Sequence, residues 1–226
     1  MLKKTFKYYK TAGKKSSDGN YTPIMITGKK ITLKPFEAED SERFRNWINS
    51  LNVLEFAQFR LPVSELEHLQ WYEKIANDKS RVFFACYNNG DMSHKACVWL
   101  ENIDIYNGNA EIFAVDGDET STLNEYVTES VQLLLKYAFE SLKLNKLYSN
   151  VPLSKASFKN MLEKAGFESE ALLREEVFIN GKYEDITRMV AFKNPPKTVT
   201  EQNDKKDTAP VPEVQWFHSA KSTRKF

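Results

Sequence analysis

Two cysteines in 226 residues, Cys86 and Cys97, cannot build a disulfide framework or a four-cysteine zinc site. They are expected on neighbouring strands as small buried hydrophobes. Arginine is also scarce, seven against 25 lysines, so the chain is poorly equipped for bidentate reading of phosphates or bases. No apolar run approaches the roughly 20 residues of a membrane-spanning helix, and no membrane contact is expected. The opening MLKKTFKYYK lacks an apolar segment behind its lysines and is not expected to be a secretory signal. The expected location is therefore the cytoplasm, or a particle assembled there. The three histidines, His68 on a helix, His94 in a hairpin loop and His218 near the end, lack a matching nucleophile and carboxylate. No metal site is expected: Asp116-Gly117-Asp118-Glu119 is acidic but lacks the spacing of a calcium loop.

What is present is charge sorted along the chain. Residues 1–30 carry +7, residues 31–193 carry −8 and residues 194–226 carry +2. An acidic body thus follows a basic arm containing Lys3, Lys4, Lys7, Lys10, Lys14 and Lys15. Such an arm seeks an anionic surface: an acidic protein, the chain's own body, or nucleic acid, the last through this arm only. The stretch after residue 193 is polar and proline-containing, which favours extended chain. It ends near Trp216 and Phe217, an aromatic pair of the kind that docks on protein partners. The expected divisions are an irregular arm over 1–30, one domain over 31–193 and an extended tail over 194–226.

The middle alternates strand and helix patterns. ITLKPF, RVFFACY, KACVWLENIDI, AEIFAV and KLYSNV read as strands. Asp40 is placed to cap a helix bearing Phe44, Trp47, Ile48 and Leu51. Ser64 and Glu67 form a capping box before Leu69, Tyr72, Ile75 and Ala76. A long helix carries Val127, Val131, Leu134, Leu135, Ala138 and Leu142, and its place between AEIFAV and KLYSNV makes those two strands parallel. Another, capped by Ser154, ends at Gly166. Asn180-Gly181 is a two-residue hairpin turn. The fold class is α/β (an α+β mixed sheet) of six to seven strands, with helices on both faces and extended tails at either end.

This order, with NAEIFAV (109–115), LLLKYAFESLKLNKLYSNV (133–151), MLEKAGFE (161–168) and LLREEVFINGKYEDITRMVAF (172–192), resembles the GNAT superfamily of acyl-CoA-dependent N-acetyltransferases. The branch that acetylates ribosomal-protein N-termini and amino sugars is the most similar, over about residues 31–193. The resemblance implies a site that binds coenzyme A pyrophosphate at the start of the long helix and deprotonates an amine beside a thioester. It places the base on Glu111, and the cofactor contacts on Val115, Leu123, Val127 and Thr128.

Against the family pattern, the phosphate-binding glycines are replaced by Leu123, Glu125 and Val127, and no basic residue lies between Lys95 and Lys136. Thr122 and Glu125 form a capping box that would consume the helix's own amide donors. Glu125 and Glu129 oppose a polyanion. At ~5 Å and an effective dielectric of ~20, each carboxylate–phosphate pair costs on the order of 3 kcal/mol. The family's asparagine falls on Lys155 and its proton-donating tyrosine on Leu162. These departures lead to the expectation of a non-catalytic scaffold, with no cofactor, that joins a larger assembly such as a virion through its two ends. The alternative is an active transferase that uses acetyl-CoA on a protein N-terminus or an amino sugar.

Overall fold

The computed structural model describes residues 25–50, 62–117 and 125–196. Its strands are β1 (Ile26–Thr27), β2 (Ile31–Pro35), β3 (Val82–Asn88), β4 (His94–Asp104), β5 (Asn109–Asp116), β6 (Lys146–Pro152), β7 (Glu168–Ile179) and β8 (Lys182–Phe192). Its helices are α1 (Ala38–Ile48), α2 (Glu65–Ala76), α3 (Glu125–Glu140) and α4 (Ala156–Ala165). All eight strands lie in one sheet of order β1-β2-β3-β4-β5-β6-β8-β7. Neighbours run antiparallel except β5 and β6, which α3 joins as a parallel pair. The expected six to seven strands are therefore eight. The additional one, β1, is a two-residue strand inside a stretch whose lysines and glycine hide any alternation.

Alternation sends the two faces of each strand into different cores. From β5, Ala110, Ile112 and Ala114 join Val98, Leu100, Val131, Leu134, Leu147 and Leu162 in the main core, on the α3 and α4 side. Val115 and Phe113 join an aromatic core with Phe36, Phe44, Trp71, Phe83 and Trp99 on the α1 and α2 side. Phe83, Trp99 and Phe113 stand in register across β3, β4 and β5 and stack with centroids 4.6 and 5.3 Å apart. Cys86 and Cys97 are free thiols, each buried within one of the two cores.

Local signals explain most boundaries. Ser64 and Glu67 make the reciprocal capping box of α2. Gly166 ends α4 at φ 106°, and Asn180 and Gly181 both take positive φ in the hairpin turn. Three expectations shift. Glu37, not Asp40, is the N-cap of α1; Asp40 is its N3 partner, accepting from the Glu37 amide at 3.0 Å. Lys155 rather than Ser154 is the N-cap of α4. The inward stripe of α2 is His68, Trp71 and Tyr72, with Leu69 left 53% exposed. His68 binds the Ser41 carbonyl at 2.8 Å and stacks on Trp71, so it faces the core and not solvent. His94 is likewise buried, its Nδ1 3.3 Å from Asp40, whose carboxylate also receives the Tyr87 hydroxyl. Burial pushes the His94 imidazole down to about 4. Among the described residues no helix is long and apolar enough to cross a membrane.

Candidate active site

The parallel pair β5 and β6 stays in register for only three residues, Asn109–Glu111 against Lys146–Tyr148. Beyond Glu111 the pairing of β5 continues only with β4, and that of β6 only with β8. The sheet therefore opens between the carboxyl ends of two parallel strands, where α/β sheets bind ligands. The backbone edge of Ile112–Val115 has no β6 ladder to join. In chain order α3 follows β5, and α4 follows β6.

Glu111 stands at the crotch of this opening, 9% exposed. Asn150 Nδ2 donates to its Oε1 at 3.0 Å, and Asn102 Nδ2 approaches Oε2 at 3.5 Å. Asn102 reaches it because β4 bulges between Glu101 and Asp104, with Asn102 in the left-handed region at φ 53°. On β8, Arg188 Nε donates to Asn150 Oδ1 at 3.0 Å, and the guanidinium lies 4.9 Å over the Tyr148 ring. Burial holds the Glu111 carboxyl above the usual carboxylate range; neighbouring Glu101 pushes the same way, while the Asn150 and Asn102 amides and Arg188 pull it back.

Glu101 and Glu111 face each other directly across β4 and β5. Like charges so placed destabilise a sheet. Glu101 is compensated by Trp99 Nε1 at 3.1 Å and by Arg81 at 3.6 Å. The arrangement sets two carboxylates opposite each other beside an aromatic row, a chemistry suited to a protonated amine.

The helix start departs from the sequence expectation. Glu129 accepts from the backbone amides of Lys29 and, at 3.0 Å, Lys30, while Glu125 pairs with the Lys30 ammonium. Both carboxylates that were expected to repel phosphates are thus bound by the turn between β1 and β2, which brings Lys29 and Lys30 to a helix start lacking basic residues of its own. The Lys30 ammonium offsets the Glu125 charge and two backbone amides bind Glu129, which weakens the electrostatic objection to a cofactor. Thr122, the other half of the expected capping box, lies outside the described residues. The parted strand edge and this turn fit acetyl-CoA: the backbone groups of Ile112–Val115 would be available to the amides of its pantetheine arm, and the turn brings the Lys30 ammonium beside the first turn of α3.

The remaining expected site residues fall as follows. Val115 is 3% exposed and its side chain belongs to the aromatic core; Val127 is fully buried in the main core. Thr128 lies half-buried in the first turn of α3, and Leu123 is outside the described residues. So are Lys3, Lys4, Lys7, Lys10, Lys14, Lys15, Trp216 and Phe217. Leu162, where the family carries a tyrosine, is 1% exposed in the main core. Sequence reasoning missed Asn102, Asn150, Arg188 and the Lys29–Lys30 turn. Only the pairing of β6 with β8, two strands separated in the chain by α4 and β7, sets Asn150 opposite Arg188.

The model of the acetyltransferase (GNAT) domain family matches residues 30–168. The spermidine N(1)-acetyltransferase of Vibrio cholerae serotype O1 is 27% identical over 160 residues, covering 70% of this chain and 91% of that protein. Its counterpart from Escherichia coli K12 is 28% identical over 171 residues, 75% of this chain and 90% of that protein. The crystal structure of the Vibrio cholerae spermidine N-acetyltransferase in complex with CoA and spermine superposes with a TM-score of 0.66 at 25% identity, covering 73% of this chain and 96% of that one. These relatives overturn the expectation of a non-catalytic scaffold without a cofactor: they are named acetyltransferases, and the one solved with CoA shares this fold. With its parted parallel strands and with the family model spanning more than half its length, the chain belongs to the GNAT acetyltransferase domain family.

Proposed function

We propose that this chain is an acetyl-CoA-dependent N-acetyltransferase whose acceptor is a small aliphatic polyamine. The observation that carries the proposal is the Glu101–Glu111 carboxylate pair at the mouth of the parted strands, a pair whose mutual repulsion a cationic amine relieves. The names of the relatives, spermidine N(1)-acetyltransferases, point to the same acceptor class. An amino sugar offers one ammonium and many hydroxyls, and uses two facing carboxylates less well.

An aliphatic amine is protonated at neutral pH and cannot attack a carbonyl until it gives up that proton. Glu111, ionised but held above the usual carboxylate range, accepts it directly or through one water. Glu101 keeps the remaining positive charge of a polyamine close. Asn150 and Asn102 fix the orientation of the Glu111 carboxylate. Acetyl-CoA would supply the acetyl thioester: a C–N bond forms as the C–S bond breaks, and the proton the nitrogen then sheds passes through water to the departing sulfur, since Leu162 has none to give.

The test is release of coenzyme A thiol with acetyl-CoA and, in separate reactions, spermidine, spermine, glucosamine and a short peptide with a free N-terminus. The polyamines are expected to give the highest kcat/KM, and Glu111→Gln is expected to lower it by about 10²- to 10⁴-fold while the protein stays folded. Preference for the peptide or the sugar would overturn the acceptor class. Absence of turnover with every amine would overturn the enzyme reading.

A further inference from the structure

Asn150 is a bridge between the parted strands: its amide joins β6 to Glu111 on β5 just past the last backbone pair. An amide has a donating end and an accepting end, and only the donating end stabilises a carboxylate. Which end faces Glu111 is decided by what holds the other. Arg188 sits directly opposite Asn150 in the β6–β8 ladder, and its guanidinium has donors only, so it can hold nothing but Oδ1. Stacking over Tyr148 keeps the guanidinium in place.

We infer that Arg188 is a positioning residue: it locks the Asn150 amide with Nδ2 toward Glu111 and so keeps the proposed base ionised. This inference rests on Glu111 as the proton acceptor. Without Arg188 the amide is free to turn over and set Oδ1 against the carboxylate, a contact satisfied only when Glu111 is protonated. Loss of the positive charge acts in the same direction. The groups facing Glu111 are Glu101 and Asn102 from β4, Tyr148 and Asn150 from β6 and Arg188 from β8, with Arg81 behind Glu101. Removing Arg188 leaves the acidic neighbour Glu101 in place and takes away the opposing cation.

The experiment compares Arg188→Met, Arg188→Lys and Asn150→Ala, alone and with Arg188→Met combined with Asn150→Ala, in the full chain. Two readouts are taken: the acid limb of the kcat/KM–pH profile, and the carboxyl ¹³C titration of Glu111 in the free protein, which needs no turnover. Arg188→Met is expected to move both toward higher pH by about one unit. Arg188→Lys, which keeps a charge and a donor, restores most of the difference. With Asn150 already alanine, removing Arg188 moves the midpoint by clearly less than in the wild-type background, only the part due to its charge remaining, because the amide through which it positions the carboxylate is gone. An unmoved ¹³C midpoint in folded Arg188→Met overturns the inference. So does an equal movement in the Asn150→Ala background, which would mean that Arg188 acts on Glu111 by charge alone. Arg188→Leu, which also has no donor, carries the same test should the methionine variant not fold. Full turnover in Glu111→Gln would instead sink the base assignment, and the ¹³C titration would still decide the role of Arg188.

Discussion

A methyl group on Gly117 would fall among the ring atoms of Trp47, so this residue is glycine for want of room. Trp47 cannot retreat easily, since its other side lies 4.7 Å from the buried His94 ring. Overpacking of this kind costs about 1–3 kcal/mol. Gly117→Ala should therefore lower Tm by several degrees in thermal denaturation, and far less where Trp47 has been cut back to alanine. Gly117 also donates to the Lys95 carbonyl at 2.8 Å at the point where the chain leaves β5 for the start of α3. The same variant is thus expected to raise the KM for acetyl-CoA. At this scale the sequence was legible for single residues and illegible for their contacts. Glu111 stood out as a carboxylate on an otherwise apolar strand. Its partner Asn150 lies 39 residues away, and Arg188 lies 38 beyond that. An asparagine on one strand and an arginine on another become a unit only when the sheet sets them side by side.

Among the elements, the start of α3 depends on a turn it never touches in sequence. Glu125 and Glu129 are one helical turn apart and both reach the turn between β1 and β2. Gly28 permits this approach, for a Cβ there would crowd Glu129 and Leu133. Lys30→Glu would exchange the compensating cation for a third carboxylate beside the start of α3, the proposed cofactor end. Because the Lys30–Glu125 pair is exposed, Tm should scarcely change. The dissociation constant for coenzyme A, measured by titration calorimetry, should rise severalfold and more steeply at low salt. An unchanged affinity would remove the turn from the cofactor site. Capping boxes, the Gly166 stop and the Asn180-Gly181 hairpin were readable because each is written within a few residues. The inward face of α2 was misread because a histidine, His68, lies where an apolar residue was sought. β1 was invisible because two residues carry no period.

For the molecule as a whole, potential at a site is a property of the fold and not of the nearest stretch of chain. The scaffold expectation summed the charges around residue 125 along the sequence, whereas the neutralising lysine arrives from 95 residues away. The same reasoning bears on the two ends of the chain. Among the described residues every buried side chain lies between Ile26 and Ala191, and both cores close within those limits. The proposed site, from the Lys29–Lys30 turn to Arg188, falls inside the same interval. We therefore expect residues 25–196 alone to fold, to melt at the temperature of the full chain, and to acetylate polyamines with kcat/KM within about twofold of it. This cut spares Gly28–Lys30 and removes Lys3, Lys4, Lys7, Lys10, Lys14 and Lys15 together with Trp216 and Phe217. If those residues serve docking, the truncated protein keeps its turnover and loses retention of acidic protein partners in a pull-down. Loss of folding or of turnover would instead make the terminal segments part of the catalytic domain, and the boundary drawn by the buried residues would have to move outward.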